Sequence, residues 1–134
     1  MDQQQALELL RTLALEPNIA ALGVTTEDGA PHITPVWVDF ADGHLLVNTA
    51  EGRFKVNAVR RRPEVGVLIV DRNNAYRWAS ALGKVVEIAT DGADEHIDKL
   101  AKKYLGHDKY QFRRPGEVRV ILKIEPVRVL TFGV

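Results

Sequence analysis

The sequence has no cysteine and only one serine, Ser80, in 134 residues. Without cysteine there are no disulfides, thiolate nucleophiles or cysteine-based zinc sites, which suits a reducing compartment. Ser80 stands in Ala79-Ser80-Ala81, so the glycine-flanked elbow of a serine hydrolase is missing. Neither a Gly-x-Gly-x-x-Gly fingerprint nor a P-loop occurs. The four histidines, His32, His44, His96 and His107, are scattered. None pairs at the spacing of a zinc-binding helix, so each reads as a surface or core histidine and no metal site is expected. Eighteen basic residues balance eighteen acidic ones, leaving none of the excess positive charge that nucleic-acid binding uses. No apolar run is long enough to cross a bilayer. Met1 runs into Gln3, Gln4 and Gln5 rather than a basic and apolar leader. The carboxylates are too evenly spread to single out an acid–base pair. The expectation is a soluble cytoplasmic protein forming one domain over 1–134, with no side chain marked as catalytic and any chemistry supplied by a bound cofactor.

What is present is strand-rich. Ala6, Leu9, Leu10 and Leu13 recur at helical spacing before Pro17. A short apolar run from Ile19 ends at the turn Glu27-Asp28-Gly29, and Pro31 to Phe40 reads as the next strand. Asp42-Gly43 separates that strand from His44 to Thr49, a strong hairpin signal. Val65 to Asp71 and Tyr76 to Ala89 follow, the latter with Gly83 inside it, where a bulge or bend is expected. Ile97, Leu100, Ala101, Tyr104 and Leu105 form a helical stripe that Gly106 ends. Val118, Val120, Leu122 and Ile124 alternate through a last strand to Glu125. The predicted order is helix, three strands, short helix, two strands, helix, strand. Tight turns between strands imply an antiparallel sheet, and closing it into a barrel would remove its edges.

The charge is balanced overall but not locally. Arg53, Lys55, Arg60, Arg61 and Arg62 lie between Glu51 and Glu64 with no acid among them. Read as a helix following a strand and the Thr49-Ala50-Glu51-Gly52 loop, this segment offers free N–H groups and cations to a phosphate. Arg53 would supply a planar fork and Lys55 a point charge. A solvated helix face paired with nearby acids fits the spacing equally well, and Arg60 to Arg62, late on the helix, suit that reading better. Pro35 interrupts a strand and so belongs at an edge, at a bulge, or where a ligand meets the backbone. Tyr76 and Trp78 share a strand face and read as packing or as a cofactor wall.

Several segments resemble one family in order and spacing. Gly29-Ala30-Pro31-His32-Ile33-Thr34-Pro35-Val36-Trp37 is similar to the second strand of the pyridoxamine-phosphate-oxidase-like split barrels. Asn48-Thr49, Gly52 to Asn57 and Arg61-Arg62-Pro63 resemble that family's phosphate segment. Tyr76-Arg77-Trp78, Gly83, the stretch ending Lys103-Tyr104-Leu105-Gly106, and Arg119-Val120-Ile121-Leu122 extend the likeness over most of the chain. Together they point to the branch that uses the deazaflavin coenzyme F420, the flavin/deazaflavin oxidoreductase B group. The resemblance implies a mainly β, antiparallel, FMN-binding-type split barrel working as a homodimer. It implies that Arg53 and Lys55 hold the phosphate beside Thr49 and Asn57, and that Thr34, Pro35, Val36 and Trp37 line the ring. Tyr76, Arg77, Trp78 and Arg119 would approach from a partner chain. The implied activity is hydride transfer between reduced F420 and a conjugated or unsaturated small molecule. The alternatives are an FMN-dependent oxidoreductase and a binding protein without turnover. The chain is too short for the C-terminal tail with which pyridoxamine-phosphate oxidases hold their substrate.

Overall fold

The computed structural model describes residues 2–133. Helix α1 (Gln3–Leu15) starts at Asp2, whose carboxylate accepts from the Gln5 N–H while the Gln5 side chain accepts from the Asp2 N–H. This reciprocal cap fixes the first turn, and the predicted stripe Ala6, Leu9, Leu10 and Leu13 is buried. Strands β1 (Ala20–Thr25) and β2 (Pro31–Val36) form one hairpin, and β3 (Asp39–Ala41) and β4 (His44–Ala50) a second. The second turns through Asp42 at φ 53° and Gly43 at φ 79°, the doubly left-handed turn that an Asp-Gly pair favours. Helix α2 (Phe54–Arg61), strands β5 (Glu64–Asp71) and β6 (Asn74–Ala89), helix α3 (Ala93–Leu105) and strand β7 (Arg119–Phe132) complete the order.

All seven strands pair antiparallel in the order β2-β1-β5-β6-β7-β4-β3. The sheet curls around a core that includes Leu10, Leu13, Leu22, Val38, Leu45, Val47, Ile69, Leu122 and Ile124. It does not close: β2 and β3 are its two edges. An edge is where prolines can sit in a sheet, and β2 carries Pro31 and Pro35. Gly83 marks a register shift, as the sequence predicts, because a Cβ there would lie 2.7 Å from Ile124 Cγ2 and 3.1 Å from Glu125 O.

Two expectations are corrected. The run Pro31 to Phe40 is two strands, broken at Trp37-Val38, so α2 follows the fourth strand rather than the third. The Val38 N–H donates to the Tyr104 hydroxyl (3.1 Å), and Lys103 Nζ donates to the Val38 carbonyl (2.6 Å). With these groups engaged by α3, residue 38 cannot continue a ladder. The last strand also runs past Glu125 to Phe132. Beyond Ile124 it pairs with β6 alone, so Pro126 breaks no second ladder.

Candidate functional site

A cleft of about 370 Å³ opens where the end of β4, the start of α2 and the edge strand β2 meet. The turn Glu51-Gly52, with Gly52 at φ 86°, reverses the chain after β4 and makes Arg53 the N-cap of α2. Val56, Ala58 and Val59 bury the inner side of that helix, which leaves Arg53 and Lys55 to line the cleft with Thr49. Arg119, the first residue of β7, reaches the same end. Its side chain is only 4% exposed.

Glu117 bridges the two arginines, 3.6 Å from Arg53 Nη2 and 3.1 Å from Arg119 Nη1. Three cations against one carboxylate leave this end positive. Lys55 feels it: burial, then Arg53 and Arg119, hold its ammonium below its ordinary pKa of 10.5. The Thr49 hydroxyl is, among the described residues, the one buried side-chain polar atom without a hydrogen-bond partner. Buried hydroxyls are rarely left so. An anionic oxygen placed here would accept from Thr49 and offset the crowded positive charge. The residues present therefore fit a phosphate.

The rest of the cleft is flat and aromatic. Pro35, Val36 and Trp37 form one wall. Trp37 stacks on Tyr104 at 5.1 Å and 6° between planes, and Tyr110 meets Trp37 edge-on at 6.0 Å. Phe112 continues the row against Tyr110, and the Arg119 guanidinium lies 5.1 Å from the Tyr110 ring centre. The segment carrying Tyr110 and Phe112 is pinned to α3: Asp98 accepts from the Tyr110 N–H and from Arg113 Nη2, both at 2.8 Å. Burial raises the Asp98 carboxyl, but those hydrogen bonds and the charges of Arg113 and Lys109 outweigh it and keep its pKa below the ordinary value. Tyr104 also donates to Asn18 O at 2.6 Å. Burial is the main reason its pKa rises to about 12, so the stacked ring keeps its proton.

Of the residues singled out in the sequence, Pro35, Val36, Trp37, Thr49, Arg53, Lys55 and Arg119 come together. Arg119 lines this chain's own cleft. Thr34 lies one groove away, against Ile19, Ile33 and Leu68, and Asn57 is exposed on α2. Tyr76, Arg77 and Trp78 are elsewhere: Tyr76 is exposed, Arg77 is bound to Asp71 (2.7 Å) and Glu16 (3.4 Å), and Trp78 stacks on Phe132. Arg60 forms a two-point pair with Glu51 (2.7 and 2.6 Å), and Arg61 lies 3.4 Å from Glu27. These two arginines are surface charge.

Sequence reasoning passed over Tyr110, Phe112 and Glu117, which lie in a segment without periodicity, and did not connect Asn48, His96 and Asp39 behind Arg119. Asn48 accepts from Arg119 Nε at 2.9 Å. Its amide nitrogen lies 2.8 Å from Ala93 O and 3.1 Å from His96 Nδ1, and His96 Nε2 lies 3.0 Å from Asp39 Oδ2. Burial raises the Asp39 carboxyl, but His96, the Phe40 N–H and Lys99 together hold it far below 3.8. Among the described residues no group of three or more His, Asp or Glu side chains could hold a metal ion.

A family model described as pyridoxamine 5'-phosphate oxidase matches residues 5–133. No curated protein sequence matches the chain. Among solved structures, one named F420 reductase superposes with a TM-score of 0.78 at 24% identity, over 90% of this chain and 94% of that one. A conserved hypothetical protein from Mycobacterium tuberculosis gives a TM-score of 0.71 at 21% identity, over 98% of this chain and 84% of the other. An FMN-binding protein from Syntrophomonas wolfei gives 0.72 at 12%, over 98% and 89%. At such identities the likeness establishes the fold.

Proposed function

This chain belongs to the pyridoxamine 5'-phosphate oxidase family, and on that premise we propose that it is an oxidoreductase whose cleft holds a phosphate-bearing flavin or deazaflavin, coenzyme F420 foremost. The observation that carries the reading is the cluster of Arg53, Lys55 and Arg119 at one end of the cleft, which Thr49, with its buried unpartnered hydroxyl, also lines. Arg53 and Arg119 offer planar forks, Lys55 a point charge and Thr49 a hydroxyl donor, a set suited to a phosphate. Pro35, Val36 and Trp37 give a flat wall for the ring. Tyr110 and Phe112 line the cleft beside that wall.

When bound, the cofactor supplies hydride transfer to or from a conjugated or unsaturated small molecule. The protein's share is orientation and field. FMN is the second reading, supported by the FMN-binding neighbour of the same fold.

A second copy of the chain completes the site in this reading. The outer side of β2, β1, β5, β6 and β7 carries Ile33, Leu68, Leu82, Leu130 and Phe132, each 39–65% exposed. A contiguous apolar face of this kind marks an interface. Trp78 shares that face, and with Tyr76 and Arg77 would border the partner's cleft.

The activity is tested by mixing the protein with reduced F420 and a series of enones and quinones under anaerobic conditions. Protein-dependent oxidation of the coenzyme, lost on Arg53→Ala with Lys55→Ala, is the expected result. Binding without oxidation by any acceptor would make the protein a carrier. Oxidation that survives the double substitution would remove Arg53 and Lys55 from the site.

A further inference from the structure

Arg119 is positioned by a hydrogen-bonded chain that crosses the sheet, and the chemistry of its members allows one arrangement only. Asn48 sits between a pure donor, Arg119 Nε (2.9 Å), and a pure acceptor, Ala93 O (2.8 Å). An amide so placed has its oxygen toward Arg119 and its nitrogen toward Ala93. That nitrogen also faces His96 Nδ1 at 3.1 Å. It can only donate, so Nδ1 must accept and the ring proton belongs on Nε2, which donates to Asp39 Oδ2 at 3.0 Å. Lys99, 3.2 Å from the same oxygen, and the Phe40 N–H complete the Asp39 end. A proton on Nδ1 would set N–H against N–H at Asn48 and break the chain at its middle.

The members come from three strands and a helix: Asp39 from β3, Asn48 from β4, Arg119 from β7 and His96 from α3. Asp39, His96 and Arg119 are each more than nine-tenths buried. A core that needed only volume would use apolar residues here, since a buried polar network stabilises little over a well-packed apolar one. The far end of the chain shows another use. Arg119 gives Nε to Asn48 and Nη1 to Glu117, while Nη2 makes no hydrogen bond to a described residue and the side chain lines the cleft. Two of the three guanidinium nitrogens are engaged within the chain, and the third is left without such a partner at the cleft end.

We propose that Asp39, His96 and Asn48 are positioning residues that present Arg119 to the anionic group of the ligand, with His96 as the neutral Nε2–H tautomer. This inference rests on the cofactor reading above for the identity of the ligand, but not for the chain itself.

Two measurements test it. The first needs no ligand: nitrogen-15 spectra of the histidine rings and arginine side chains in the full chain. His96 should carry its proton on Nε2 alone. The Arg119 Nε–H should exchange slowly and be identified by its loss in Arg119→Lys. It should broaden or exchange fast in His96→Leu and be retained in His96→Gln, which keeps one donor and one acceptor. A proton on Nδ1, or an Arg119 signal indifferent to His96→Leu, would overturn the proposal.

The second is a double-mutant cycle on the Kd of F420 and of FMN. His96→Leu should weaken binding about tenfold when Arg119 is present and less than about twofold in Arg119→Ala. An equal loss in both backgrounds would mean that the histidine only supports the fold. If the native protein binds neither cofactor, the function proposed above fails while the spectra still decide the chain.

Discussion

Thr49 separates the needs of the empty fold from those of the ligand. Its hydroxyl is buried without a partner, which costs the folded state about 1 kcal/mol or more. Thr49→Val should therefore raise the stability of the ligand-free protein by about 1 kcal/mol in denaturant unfolding and weaken cofactor binding. Stabilisation with unchanged affinity would mean that the hydroxyl meets no ligand. Lys55 makes a pH prediction of definite sign. Its ammonium is disfavoured by burial, Arg53 and Arg119. An anion in the cleft favours the charged form, so its pKa rises on binding. Ligand binding then takes up protons, and affinity falls as the pH rises through the lowered value of the free protein. Titrations across the alkaline range should show that loss in the native protein and much less of it in Lys55→Met.

At the scale of elements, the weak points are where strands and helices are forced close. Gly83→Ala would place a Cβ 2.7 Å from Ile124 Cγ2, an overpacking expected to cost about 1–3 kcal/mol in thermal or denaturant unfolding. An unchanged Tm would mean that the β6–β7 bulge relaxes freely. Gly83 was legible in the sequence because a glycine inside a strand speaks through its immediate neighbours. The same holds for the Asp42-Gly43 hairpin, the stripe of α1 and the Gly106 end of α3. What was not legible depends on distant partners. The break at Trp37-Val38 is made by Lys103 and Tyr104, more than sixty positions away. The extension of β7 through Pro126 depends on β4 having ended. In the site, the cation end was readable because Thr49, Arg53 and Lys55 lie close in sequence. The chain Asp39–His96–Asn48–Arg119 spans four elements and contains the kind of isolated histidine that sequence alone reads as bland.

For the whole molecule, the acid limit follows from Asp39. Its folded-state pKa is held far below 3.8, so the ionised carboxylate stabilises the fold at any pH above about 3.8. That stability is lost as the pH falls toward the folded value. Asp71 and Asp98 are lowered too and add to the same acid loss. The Asp39 share is the difference between the native stability–pH curve and that of Asp39→Asn. The two curves should converge below pH 3.8, and parallel curves would deny Asp39 this role. Assembly is a separate prediction. If the apolar outer face joins two copies, Leu82→Lys with Leu130→Lys should turn a dimer into a monomer in sedimentation without unfolding it. A native protein already monomeric at micromolar concentration would remove the partner's Tyr76, Arg77 and Trp78 from the site.

The central claim is that Thr49, Arg53, Lys55 and Arg119 form the phosphate grip of a flavin or deazaflavin cofactor. Fluorescence titration of the native protein and of Arg53→Ala with Lys55→Ala, against F420 and FMN in turn, tests it most directly. Saturable binding of F420 in preference to FMN, weakened about a hundredfold or more by the double substitution through loss of two charge-assisted contacts, is the predicted result. Binding of either cofactor that the double substitution leaves unchanged, or no binding of either by the native protein, would contradict it.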